Sequence, residues 1–307
     1  MKVKMKAIVM CLGIGLGVSV FGVGATAGPP STAYKLQWSD EFDGDALDLA
    51  KWTYTQEGRT RRSAFHRNDA VSVHNGNLNI RTYSALKNSS KPEQGYRHYT
   101  AIVGTRNEFL VHQNPDSTRE TFLPTYGYME ARIKMTVDAG MWSAFWLQAP
   151  TMGTDISDPD GSGNEIDIIE YRGNGKSNNA VHWNGYGSNH RSWANEIPTH
   201  VVNPSDGQYH VYGLEWTEDQ LKFYLDGTLR YTMTNPEVVS ETREAIYFSS
   251  EVMTSGFAGA IPTGGYGAKG EAENPMMSVD YFRYYAVPEP TSLGVMAVLG
   301  ALFMCKR

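Results

Sequence analysis

Apolar residues in this chain recur at every second position and almost nowhere at helical spacing. Leu221, Phe223 and Leu225 alternate with Lys222 and Tyr224, Asp226-Gly227 turns the chain, and Leu229, Tyr231 and Met233 follow. That pattern is a β-hairpin, because Asp-Gly accepts the positive φ angles of a tight turn. Val71-Ser72-Val73 and Leu78-Asn79-Ile80 flank His74-Asn75-Gly76-Asn77 in the same way. Further strand-like runs are Tyr128–Met135, Trp142–Leu147, Glu165–Glu170, His210–Trp216, Ala245–Ser250 and Met277–Tyr285. No window holds an amphipathic helix of a dozen residues. A chain of short strands joined by Gly- and Asn-bearing turns must pack sheet on sheet or close into a barrel, so the fold class is all-β. The 307 residues show no internal repeat and no linker. One domain of catalytic size is expected, with the long loops 114–124, 150–164 and 255–275 as rims around a site.

Both ends read as processing segments. Lys2, Lys4 and Lys6 precede an apolar run from Ala7 to Val23, then Ala25-Thr26-Ala27. A basic start, an apolar middle and a small-residue exit make residues 1–27 a secretory signal peptide. At the other end Val287-Pro288-Glu289-Pro290-Thr291 precedes an apolar stretch from Leu293 to Cys305 and a basic pair, Lys306-Arg307. That stretch is shorter than the ~20 residues of a full span. Without both ends, 22 Lys+Arg and 32 Asp+Glu remain, a net charge near −10 against −6 for the whole chain. The only cysteines, Cys11 and Cys305, leave with the ends. The exported domain, 28–286, then has no disulfide and rests on its core or a metal.

Composition excludes some classes. With 41% hydrophobic and 20% charged residues the chain is not wholly disordered. Its negative charge excludes general nucleic-acid binding. Aromatic residues reach 12%, including 7 Trp and 18 Tyr; such rings stack on sugar faces and also fill cores. No HExxH or paired-histidine spacing appears, so a catalytic zinc is not expected.

The segment that carries chemistry is Asn164-Glu165-Ile166-Asp167-Ile168-Ile169-Glu170-Tyr171. On a regular strand Glu165 and Asp167 share a face and Glu170 falls on the other. One extra residue, either Ile168 or Ile169, makes a β-bulge and returns Glu170 to the first face. All three acids then line one side while isoleucines pack on the other. Crowded carboxylates raise one another's pKa and cost stability unless a reaction uses them. Glycoside hydrolysis with retention does: one carboxylate attacks as nucleophile and one carboxylic acid donates a proton, about 5–5.5 Å away. An exposed acidic strand or a calcium loop is the plain alternative, but EF-hand spacing is absent.

Further blocks surround this motif in order. Trp38-Ser39-Asp40-Glu41-Phe42, Leu47-Asp48 and Lys51-Trp52 come first, then Asn75-Gly76-Asn77-Leu78. Tyr126 to Lys134, Trp142 to Leu147, Tyr212 to Trp216, Phe223 to Gly227 and Val279 to Tyr285 complete the series. With them the chain resembles glycoside hydrolase family 16 over nearly all of residues 28–286. The resemblance implies a two-sheet antiparallel β-jelly-roll sandwich of the concanavalin A-like kind, with a concave substrate groove and retaining, endo-acting glycosidase activity. It implies Glu165 as nucleophile, Glu170 as general acid/base and Asp167 as their partner, with no cofactor for catalysis. Residues 287–307 resemble a PEP-CTERM sorting signal of Gram-negative bacteria. That implies export across the inner membrane, a processing enzyme acting on the tail, and an extracellular or cell-surface product.

Substrate residues follow from position. Trp142 and Trp146 share a strand face, and the resemblance implies that this strand lines the groove, so at least one is expected to stack on a sugar. His182-Trp183-Asn184 reads as a groove wall, with His182 able to bond a sugar hydroxyl or an acid. Family members place an Asn near the Val-x-Val strand where this chain has Ala70; Asn68, two residues earlier, is the substitute. Arg59, Arg61, Arg62, His66 and Arg67 cluster in one loop, and arginine grips sulfate well. A structural calcium, common in the family, would take the Asp280 carboxylate, with Glu41 and the Gly76 carbonyl nearby; otherwise Asp280 bonds across strands. The expected function is a monomeric endo-β-glycosidase cutting an extracellular polysaccharide, foremost a β-1,3- or mixed β-1,3/1,4-glucan. The alternatives are a marine galactan (agar, porphyran, carrageenan) as substrate, a transglycosylase, or a polysaccharide-binding surface protein.

Overall fold

The structure is a computed structural model, and it describes residues 27–113, 118–201, 203, 206–254 and 256–288. The signal-peptide segment up to residue 26 and the sorting tail from residue 289 lie outside the described residues. No helix among the described residues is long and apolar enough to cross a membrane.

Two antiparallel sheets carry the domain. The eight-stranded one runs β17(Thr228–Met233), β16(Leu221–Leu225), β15(His210–Trp216), β10(Gly127–Lys134), β19(Met276–Ala286), β6(Asn77–Arg81), β5(Val71–His74), with β1(Lys35–Asp40) also on β19. The seven-stranded one runs β14(Arg191–Ile197), β13(Lys176–Trp183), β12(Glu165–Arg172), β11(Met141–Gln148), β18(Ala245–Val252), β9(Ile102–Gly104), β2(Thr53–Thr55). A four-stranded flap, β3(Thr60–Arg61), β4(Ala64–His66), β8(Tyr96–Thr100) and β7(Tyr83–Leu86), stands beside it, with β4 and β8 parallel. All the strand runs expected from alternation are present, and the expected hairpins β5–β6 and β16–β17 turn at Asn75-Gly76 and Asp226-Gly227, all four with positive φ.

The core lies between the two large sheets because each strand turns one set of alternate residues inward. Phe145 and Phe248 of the seven-stranded sheet stack at 5.1 Å, and both meet Phe282 of the other sheet edge-on, at 6.0 and 6.2 Å. Trp52 closes the layer, fully buried, with its indole N–H on Asp40 Oδ2 at 2.8 Å. Ile166, Ile169 and Val181 put the inner faces of β12 and β13 into this core, with no exposure. That anchorage leaves their opposite face free to build a site.

Candidate active site

β12 supplies the acids. Asp167 pairs with Trp146 and Glu170 with Ala144, while Phe145 pairs with Ile169, so Ile168 is the extra residue against β11. Against β13, two residues (168 and 169) face one, Asn179, whose side-chain amide donates to the Ile168 carbonyl at 2.6 Å. The bulge read from spacing is present, and it brings Glu165, Asp167 and Glu170 onto one face. Arg172 continues that face, and all four line a cleft of about 850 Å³ on the outer side of the seven-stranded sheet. Small residues beside the acids (Ala144, Ala180, Ala194 and Ser249) leave the cleft open.

Each acid has its own setting. Glu165 is half-buried at the end of the strand; its Oε2 accepts from Gln148 Nε2 at 3.0 Å and from the Tyr186 hydroxyl. Glu170 is 6% exposed and accepts twice, from Trp142 Nε1 at 2.8 Å and Asn178 Nδ2 at 2.6 Å. Asp167 lies between them, 3% exposed; its Oδ2 has no hydrogen-bond donor, and His182 Nε2 stands 3.4 Å away. His182 Nδ1 faces His190 Nε2 at 3.0 Å, with the two rings stacked.

Burial governs the protonation of all three, because a charged carboxylate loses its water shell. Burial and then the Asp167 charge push Glu165 up to about 8. Burial and the Glu170 charge hold Asp167 well above its usual range. Burial also raises Glu170, against the Asn178 bond, which favours its charged form. All three acids are raised, which favours the proton that one of them must hold in a retaining glycosidase, while the donors on Glu165 and Glu170 favour the charged form that the other needs to attack.

The structure sorts the remaining expectations. Trp142 is a cleft wall, bonded to Glu170 and set edge-on to Phe257 at 4.9 Å. Trp146 lines the floor but is packed under Phe109 and Tyr247, with its N–H on Ser249. His182 lines the cleft; Trp183, its neighbour, points the other way and packs on the core, since adjacent strand residues face opposite sides. Arg67 and Asn68 are not in the cleft: Arg67 is exposed and pairs with Asp69 at 2.9 Å, and Asn68 begins an exposed 3₁₀ turn. From their loop, Arg61 and Arg62 are the residues that enter it.

The carboxylates expected to hold calcium carry arginine partners. Glu41 is held by Arg283 through two bonds of 2.9 and 2.7 Å, and Asp280 by Arg132 across the strands at 2.8 Å. Among the described residues, Glu165, Asp167 and His182 have ligand atoms within 4.8 Å of one another, but Glu165 Oε2 is already held by two donors. Sequence reasoning missed Gln148, Asn178, Tyr186, Arg172 and Glu251. Alternation from Trp142 and Trp146 pointed to Gln148, and alternation from Glu170 to Arg172. Nothing local marked Tyr186.

Three acids on the outer face of a two-sheet antiparallel sandwich, over an open cleft, define a carboxylate-lined site of the kind acid/base and nucleophilic chemistry uses. Residues 34–287 match the family described as beta-porphyranase A-D, GH16 domain. The chain belongs to glycoside hydrolase family 16. It is 32% identical over 215 residues to beta-porphyranase E of Zobellia galactanivorans, covering 65% of this chain and 68% of that protein. It is 26% identical over 226 residues to glucan endo-1,3-beta-glucosidase A1 of Niallia circulans, covering 70% of this chain and only 32% of that protein's length. Among solved structures, the laminarinase catalytic domain of Thermotoga maritima superposes with a TM-score of 0.61 at 22% identity, over 83% of this chain and 99% of that one. Porphyranase B of Zobellia galactanivorans gives 0.59 at 23%, over 82% and 92%. The sandwich is therefore the jelly roll of this family.

Proposed function

We propose that this chain is a retaining endo-β-glycosidase whose substrate is a negatively charged β-linked galactan of the porphyran type. The cleavage half of the reading rests on Glu165 and Glu170 on one bulged strand. The substrate half rests on one observation: Arg61, Arg62 and Arg172 project into the cleft beside the acids. The Arg62 guanidinium lies over the Trp142 ring at 5.2 Å and Arg172 over Phe257 at 4.8 Å. Arg61 and Arg62 share Glu251, and Arg172 reaches Glu196 at 4.0 Å, so three guanidinium groups meet two carboxylates and the N–H groups left over suit a sulfate. The buried Arg172 Nε has no partner in the protein. The match to the beta-porphyranase family over the whole domain agrees with this.

In the reaction, Glu165 attacks the anomeric carbon as Glu170 protonates the leaving oxygen. Water, activated by Glu170, then cleaves the ester. A neutral β-1,3- or mixed-linkage glucan is the second reading, favoured by the Niallia relative and by the overall negative charge, which repels a sulfated polymer at long range. Hydrolysis across porphyran, agarose, carrageenan, laminarin and lichenan decides between them. Activity on porphyran that Arg62→Ala lowers at least tenfold supports the galactan. Activity confined to laminarin or lichenan and unchanged in Arg62→Ala replaces it with the glucan. The terminal signals support export and tail removal; intact-mass analysis of the secreted form from its own host, starting near Gly28 and ending near Ala286, is the result expected.

A further inference from the structure

We infer that Tyr186 is the positioning residue that holds Glu165 in its attacking form, with Gln148 as the second donor; this rests on the retaining reading above. Tyr186 sits in the connection between β13 and β14, flanked by Gly185 and Gly187. Its ring is 55% exposed, yet its hydroxyl reaches Glu165 Oε2. Gln148 Nε2 lies 3.0 Å from the same carboxylate oxygen and 3.1 Å from the tyrosine hydroxyl, so three side chains from three segments close one ring of contacts. The tyrosine ring is steadied by the imidazoles of His190 and His182, at 5.6 and 6.5 Å.

The backbone is built to keep it there. Gly153 and Gly185 both have positive φ, and a Cβ on Gly153 would stand 2.7 Å from Gly185 Cα. That approach requires glycine at 153, while Gly185 is favoured by its positive φ. The approach ties the loop carrying Tyr186 to the turn that follows Gln148, so both donors ride on clamped segments.

The chemistry follows from which oxygen is held. Oε2 accepts both bonds, which leaves Oε1 to attack. In the first step the Oε1–C1 bond forms as the glycosidic C1–O bond breaks, and the leaving oxygen takes the Glu170 proton. In the second, Glu170 takes a proton from water, the water oxygen bonds C1, and the Oε1–C1 electron pair returns to Glu165. Negative charge on Glu165 is largest before the first step and during the second, and a donor on Oε2 is strongest there. The groups facing Glu165 include Asp167 and Glu170 on its own strand, Tyr186, His182 on β13, Arg61 on β3 and Glu251 on β18. The acids among them oppose its ionisation, and burial does so most. Burial and the Glu165 charge also hold the Tyr186 hydroxyl well above its ordinary range, so it stays a donor at every working pH.

Tyr186→Phe keeps the ring and removes the donor. We expect kcat to fall ten- to a hundredfold with KM changed less than threefold, and the acid limb of the kcat/KM profile to move up by about one pH unit. The ¹³C titration of the Glu165 carboxyl, assigned with Glu165→Gln, should show the same upward shift. Gly153→Val keeps the hydroxyl but displaces the loop, and should reproduce the shift even if Tyr186→Phe folds poorly. A Glu165 titration and kcat unchanged in Tyr186→Phe, or a loss confined to KM and seen only in Tyr186→Ala, would overturn the inference and leave Tyr186 a sugar platform. Full activity in Glu165→Gln would instead remove the retaining assignment itself.

Discussion

Glu165, Asp167 and Glu170 cannot all be charged at once, and the environment of each decides which gives way. Asp167, buried between two glutamates with one oxygen lacking a donor, is pushed well towards its protonated form. Its pKa is raised in the folded chain, so its contribution to stability is full below the unfolded carboxylate pKa and is lost as pH rises through the folded value. Asp167→Asn removes that loss. The variant should melt higher than wild type at pH 8, by about 2–4 °C for each ~1 kcal/mol recovered, and equal to it near pH 4, while hydrolysis falls by at least tenfold. Equal melting at both pH values would contradict the protonation scheme. Trp142→Phe tests the other end. It keeps a ring but removes the N–H that favours charged Glu170, so the Glu170 pKa should rise and the alkaline limb of kcat/KM should move to higher pH. At this scale the sequence was readable where spacing carried the meaning: Glu165, Asp167 and Glu170 declare themselves. Gln148 is signalled only by its alternation with Trp142 and Trp146, whereas Tyr186 and Asn178 reach the acids from other segments, and no local pattern reveals a partner brought in by folding.

The bulge in β12 is the element on which the site depends. A strand alternates strictly, so without one extra residue Glu170 would face the core. Asn179 secures it by donating to the Ile168 carbonyl in a buried setting. Asn179→Ala leaves that carbonyl unsatisfied, and the expected cost is about 1–3 kcal/mol in urea unfolding, with a loss of activity larger than the remaining folded fraction explains. Equal loss of both would mean that the bulge holds its shape unaided. The same alternation explains an error of reading. The sequence reads His182-Trp183-Asn184 as one wall, but neighbours on β13 must face opposite ways. Arg61 and Arg67 were one basic loop in sequence. In the fold β3 and β4 stand beside the cleft, and the 3₁₀ turn at 68–70 then carries the chain to β5 in the other sheet. That crossover depends on strand pairing, which composition does not encode.

Across the whole molecule, two sheets share one aromatic layer and divide the labour. Phe145 and Phe248 support the catalytic sheet from below, and Phe282 joins them to its partner. The sandwich was legible because a two-residue period with Asn-Gly and Asp-Gly turns leaves few other packings. Arginines on neighbouring strands pair with Glu41 and Asp280. With no cysteine in the described residues, the aromatic layer carries the load. Phe282→Ala should cost about 3–5 kcal/mol. The central claim, that Glu165 attacks and Glu170 shuttles the proton on a chain that retains anomeric configuration, is tested most directly by azide rescue. Each alanine variant is given an activated β-linked substrate with azide, and the anomer of the product is read by NMR. Glu165→Ala should yield the α-glycosyl azide, because azide replaces the missing nucleophile in a single inversion. Glu170→Ala should yield the β-glycosyl azide, because azide intercepts the ester formed by Glu165. Swapped anomers would reverse the two roles, and near-wild-type hydrolysis by both variants would contradict the account.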